Sequence, residues 1–148
     1  MAALDALARR DYATEDLRRK LLGKGYDAGV VVPLLDALRA EKLLDDRRYA
    51  ENFVAYRAAR GLGPLRVRAD LRRYGLEESL VEECLDAFSE WIVHLREARQ
   101  KKFGAKLPTT YADKQRQVRF LGYRGFTNAQ IRTALGFDFD LDSDIEET

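Results

Sequence analysis

Three glycines fifty residues apart, Gly25, Gly75 and Gly125, set the frame of this 148-residue chain, because their surroundings align without a gap. Four residues before each stands Leu21, Leu71 or Leu121, and directly after each comes an apolar residue, Tyr26, Leu76 or Phe126. Val31, Val81 and Ile131 follow, then Leu35, Leu85 and Leu135. The first two copies also share Leu17/Val67, Val30/Leu80 and Leu34/Cys84, whereas the third has Gln117 and Gln130 and is the weakest copy. A fixed period of this size marks a repeated supersecondary unit.

The spacing has a physical cause. A helix that ends on a left-handed glycine at C′ brings the next residue, C″, back onto the side chain at C3. Here C3 is Leu21, Leu71 or Leu121, and C″ is Tyr26, Leu76 or Phe126. The same apolar residue precedes the cap of the following helix, where it can staple to Val31, Val81 or Ile131 at N4. Thr127 and Gln130 add a capping box in the third copy. One apolar side chain thus ties two helix ends together.

A further helix precedes each pair. Leu44, Asp45 and Tyr49 have the N′, cap and N4 spacing of another staple, with Tyr49, Phe53 and Tyr56 on one face. Gly61 and Gly63 end that helix, and Pro64 opens the next, where a missing N–H costs nothing. Periodicity then predicts nine helices, at 2–10, 15–23, 28–41, 46–60, 64–74, 78–89, 91–103, 111–123 and 128–136. Pro33 should kink the third or delay its start. Residues 104–110 read as a loop. The predicted fold is all-α: three tandem three-helix, helix-turn-helix-like repeats at 1–44, 45–90 and 91–137, with an acidic tail at 138–148. Each repeat is too small to bury its apolar faces alone, so stacking should give an elongated, curved body.

Charge is patterned under a net of +1. Residues 42–73 hold 9 basic and 4 acidic groups, and 74–90 hold 6 acids and no base. Residues 91–132 hold 10 bases against 2 acids, and 133–148 hold 6 acids. Such blocks point to separate electrostatic surfaces. Of the 26 basic residues 19 are arginine, which suits planar contact with phosphate or carboxylate.

Catalytic and metal patterns are missing. Neither a phosphate-loop, a zinc-protease nor a nucleophile-elbow motif occurs. One Cys and one His supply neither a disulfide nor a zinc cluster, which fits a reducing, cytoplasmic setting. Cys84 takes an apolar repeat position and reads as a structural thiol; His94, beside Trp91 and Leu95, reads as packing or surface. Asp138, Asp140, Asp142 and Asp144 imitate the start of a calcium loop, but Ser143 stands where its glycine belongs. No enzyme, cofactor or metal is expected. No apolar run nears the roughly 20 residues of a membrane span, so no membrane partner is expected either.

Four stretches resemble the RecX family of recombinase regulators. They are Leu4, Leu7, Ala8, Arg9 and Arg10 with Thr14-Glu15-Asp16-Leu17 and Lys20-Leu21; Leu44-Asp45-Asp46-Arg47-Arg48-Tyr49-Ala50; Gly63-Pro64 with Arg66, Val67, Leu71 and Gly75-Leu76; and Arg119-Phe120-Leu121 with Arg124-Gly125-Phe126-Thr127 and Ile131. They cover residues 4–136 in the family's order. Gly122, inside a helix, and the polar Gln117 and Gln130 depart from the pattern. The resemblance implies a protein, expected to be a monomer, that binds RecA and its nucleoprotein filament. It further implies inhibition of RecA's ATP hydrolysis, strand exchange and coprotease activity in recombination, DNA repair and the SOS response.

With that resemblance, the basic blocks nominate Arg47, Arg48, Arg57, Arg60, Arg66, Arg68, Arg72, Arg73, Arg116, Arg119 and Arg124 for contact with RecA or DNA. A second reading is a sequence-independent binder of single- or double-stranded DNA, acting through phosphates alone. A third, a generic helical scaffold, explains the repeat but not the four stretches. The acidic tail would compete with DNA if it shields a basic face.

Overall fold

In the computed structural model, which describes residues 2–136, the three glycine turns close the same pair of backbone hydrogen bonds. The Tyr26 N–H donates to the Leu21 carbonyl at 3.3 Å and the Gly25 N–H to the Leu22 carbonyl at 3.0 Å. Leu76 to Leu71 (3.4 Å) with Gly75 to Arg72 (3.0 Å), and Phe126 to Leu121 (3.2 Å) with Gly125 to Gly122 (3.0 Å), repeat the pattern. The glycines lie at φ +96°, +79° and +100°, so all three are left-handed helix stops of one type.

These stops punctuate nine helices among the described residues, and no strand occurs there. They are α1 (Ala2–Arg9), α2 (Thr14–Gly23), α3 (Ala28–Ala40), α4 (Asp46–Ala59), α5 (Pro64–Arg73), α6 (Glu78–Ala87), α7 (Trp91–Phe103), α8 (Tyr111–Tyr123) and α9 (Asn128–Leu135). The all-α fold read from the sequence is the one observed. The tail and its calcium-like aspartates lie outside the described residues. Among the described helices, none is long and apolar enough to cross a membrane.

Local chemistry explains the helix starts. The Asp45 carboxylate accepts the Arg48 N–H at 3.0 Å, with Leu44 and Tyr49 buried beside it as the staple requires. Thr127 and Gln130 form the expected reciprocal capping box. The third helix starts at Ala28 despite Pro33, so its start is not delayed. The proline withholds only the bond owed to Gly29, whose lack of a side chain leaves the preceding turn uncrowded.

One left-handed helix stop lacks glycine. Lys42 sits at φ 62°, with its N–H on the Arg39 carbonyl (3.0 Å) and the Leu43 N–H on the Leu38 carbonyl (2.9 Å). A β-carbon in that conformation costs about 1 kcal/mol. Lys42→Gly is therefore expected to stabilise the protein by about 1 kcal/mol, read as a higher urea midpoint at unchanged slope.

The chain divides into two compact units, Met1–Phe53 with Asp70–Cys84, and Val54–Ala69 with Leu85–Thr148. In the first, α1 packs on α2 and α2 on α3, around Leu17, Leu21, Val31, Leu35, Leu38 and Leu44. Tyr49, Phe53 and Tyr74 form a ring cluster with centroids 5.9–6.4 Å apart. Tyr26, expected to bury like Leu76 and Phe126, is 48% exposed and only lines an apolar recess with Leu21, Val31 and Leu34. In the second unit α7, α8 and α9 pack on one another, burying Leu95, Val118, Leu121, Phe126 and Ile131.

The polar Gln117 has a specific explanation. It is buried beside Arg99, itself only 6% exposed, and its Oε1 accepts from the Arg99 Nη1 at 3.3 Å. The Arg99 Nη2 donates to the Gly104 carbonyl at 3.1 Å. Gln117 therefore serves a buried cation where the other copies need only an apolar side chain. The start of the loop, residues 104–106, is held by that cation.

Candidate functional site

The geometry of the second unit begins with two main-chain segments in contact. The Gly63 N–H donates to the Arg124 carbonyl at 2.8 Å, and the Leu65 N–H to the Gly125 carbonyl at 2.9 Å. Helix starts leave N–H groups unsatisfied and helix ends leave carbonyls, so the start of α5 and the end of α8 satisfy each other. In the first unit the Gly75 turn is met by side chains instead: the Arg19 Nη1 donates to the Arg73 carbonyl at 2.9 Å. Arg124 is thereby fixed at its backbone, with its side chain left to project.

Around that point three helix ends converge. Arg60 follows α4, Lys101 and Lys102 lie in the last turn of α7, and Arg124 follows α8. With Phe120, His94, Glu97, Ala98, Ala59 and Gly61 they line a pocket of about 420 Å³. The Arg124 guanidinium lies 4.9 Å from the Phe120 ring centroid and the Lys102 ammonium 5.8 Å from it. Such cation–aromatic contacts orient a charge without neutralising it. The Arg60 Nη1 donates to the Tyr56 hydroxyl at 3.2 Å, and Tyr56 is 60% exposed. Arg66 lies 5.9 Å from the ring of Tyr123, which is 82% exposed.

The eleven nominated arginines separate by their partners. In the first unit Arg47 pairs with Glu83, Arg48 with Asp11 (3.7 Å), Arg72 with Glu78 (2.8 Å) and Arg73 with Asp70 (2.9 Å). Hydrogen bonding to Glu83 raises the Arg47 pKa above its ordinary value, holding the pair charged. In the second unit Arg116 pairs with Asp113 at 3.2 Å. Arg57 and Arg68 are half-buried and engaged within the fold. Arg60, Arg66, Arg119 and Arg124 have no carboxylate within 4 Å among the described residues, nor do Lys101 and Lys102.

These pairings revise the picture of separate charged surfaces. Glu78 and Glu83, from the acidic block, meet arginines of the basic block before it. Pairing across 36 residues leaves no trace in local spacing. Lys101 and Lys102 were not nominated, although their place in the last turn of a helix was a usable signal.

The other reactive groups are quiet. Cys84 is buried, and burial pushes its thiol pKa up, away from the reactive thiolate. His94 is half-buried against Phe88, its Nδ1 3.5 Å from Glu97. No group of three or more His, Cys, Asp or Glu side chains suited to a metal occurs among the described residues.

Recurring turn-linked helices carrying a cationic recess define an all-α tandem-repeat scaffold. Residues 45–85 match the family model of the second three-helix domain of RecX, and residues 90–135 that of the third. The regulatory protein RecX of Halorhodospira halophila is 43% identical over 134 residues, covering 90% of this chain and 83% of that protein. RecX of Ectopseudomonas mendocina is 41% identical, covering 85% of each. The chain belongs to the RecX family, and both of these relatives are named regulatory proteins. The crystal structure of RecX from Lactobacillus salivarius shares the fold at a TM-score of 0.79, with 18% identity, covering 91% of this chain and 90% of that one.

Proposed function

We propose that this protein regulates homologous recombination and DNA repair by binding the RecA recombinase and its DNA filament. In this reading it restrains ATP hydrolysis, strand exchange and SOS coprotease activity, and works as three tandem modules at 1–44, 45–90 and 91–137. Family membership supports the regulatory role, and the three-helix matches at 45–85 and 90–135 support a modular division. The observation that carries the reading is the set of cations in the second unit with no carboxylate among the described residues. An unneutralised arginine–lysine surface suits a polyanionic assembly, where the partner supplies the missing charge.

The test is recombinase ATPase on single-stranded DNA, titrated with this protein. Arg60→Glu/Arg119→Glu is expected to raise the half-inhibitory concentration about tenfold with helicity unchanged. Arg47→Gln/Arg72→Gln, which removes charges already offset by Glu83 and Glu78, should shift it less than about twofold. Full inhibition by the folded Arg60/Arg119 variant would refute this surface; no inhibition by the wild type would refute the regulatory reading.

A further inference from the structure

The pocket between the ends of α4, α7 and α8 carries more charge than the fold itself uses. A helix C-terminus presents about −0.5 of an elementary charge, so three supply about −1.5. Glu97 adds one negative charge, against four cations: Arg60, Lys101, Lys102 and Arg124. An excess of roughly +1.5 remains among the described residues by that estimate. Macrodipoles explain why each cation sits at a helix end, but not why so many share one concavity. Its volume of about 420 Å³ is that of a small-ligand cleft rather than a flat face.

The neighbours of two pocket cations narrow the ligand. Arg60 is tied to the exposed Tyr56, and Arg124 follows the exposed Tyr123 in the chain. Aromatic faces open to solvent beside cations are the platform on which unpaired bases stack. Duplex DNA keeps its bases stacked inside and would leave both rings unused. An acidic peptide would satisfy the cations, but gives the tyrosines nothing to stack.

We propose that this pocket holds a backbone phosphate of single-stranded nucleic acid, gripped by Arg60, Lys101, Lys102 and Arg124, with neighbouring bases stacked on Tyr56 and Tyr123. The assignment deepens the regulatory reading and rests on it for the source of the strand. Its test uses the full chain without recombinase, so that the two can fail separately.

Fluorescence anisotropy with a labelled oligothymidine at two salt concentrations reads the site. Lys101→Glu/Lys102→Glu should weaken binding at least about tenfold and flatten the salt dependence by about 0.7 in log–log slope for each phosphate no longer neutralised. Tyr56→Ala and Tyr123→Ala should each cost about tenfold on the single strand and leave duplex binding unchanged. Arg39→Gln, in the first unit and paired with Asp36, is the control for general charge. Circular dichroism of each variant confirms folding. Unchanged affinity in the folded lysine variant overturns the pocket, and equal weakening on duplex overturns the stacking. Displacement of the strand by micromolar ATP or inorganic phosphate would reassign the ligand to a free phosphate, and displacement by polyglutamate would reassign it to an acidic peptide. Either reassignment sinks the proposal. Retained ATPase inhibition by a variant that no longer binds the strand would leave the regulatory reading standing and remove this site from it.

Discussion

Gly63→Ala is expected to destabilise the protein by about 3 kcal/mol or more, with a lower urea midpoint and an unchanged transition slope. The reason is space, not dihedral freedom. A β-carbon at Gly63 would lie 2.4 Å from the Gly125 carbonyl carbon and the Phe126 nitrogen, and 2.5 Å from the Gly125 oxygen. Backbone cannot rotate away as a side-chain tip can, so the two segments must part. That parting strains the bonds from Gly63 to Arg124 and from Leu65 to Gly125. Gly23→Ala is the matching control: nothing lies within 4 Å of its β-position and its φ is not positive. It should stabilise by up to about 1 kcal/mol through helix propensity. Equal effects at the two sites would rule out the close approach.

Arg99→Ala should cost about 2–4 kcal/mol, because it strips the donor from the buried Gln117 oxygen, frees three loop carbonyls and opens space in the second unit. The side chain is buried on neutral partners: the Gln117 amide oxygen and the carbonyls of Gly104, Ala105 and Lys106. Gln117→Leu restores the apolar character of Leu17 and Val67, yet it should destabilise the wild type by removing an acceptor from a buried cation. In an Arg99→Met background the same change should become far less harmful. A double-mutant cycle should give a coupling of about 1–2 kcal/mol, and additivity would show that the pair does not act together.

The repeat was legible because its determinants are local. A glycine stop, the leucine at C3 and the apolar residue at C″ lie within six positions, and all three turns formed as that spacing predicts. Helix ends fell within two residues of expectation for the same reason. Tyr26 shows the limit of that logic: its turn is correct, yet its burial depends on what the fold places over it. Arg99 shows it again, since within a basic stretch it reads as surface charge until a glutamine 18 residues away turns toward it.

The candidate site was legible only in outline. Arg60, Arg66, Arg119 and Arg124 were within the nominated set, but nothing in the spacing separated them from Arg47 or Arg72, whose carboxylate partners come from a distant helix. The pocket, in turn, is made by three helix ends far apart in sequence.

The latch at Gly63 has a bearing on how such a chain can drift. Main chain grips main chain there, so it demands that two positions, Gly63 and Gly125, stay without side chains. Substitutions can accumulate around it without loosening the joint, which is compatible with one architecture persisting at 18% identity. The outer helical faces are then free to change without disturbing the joint.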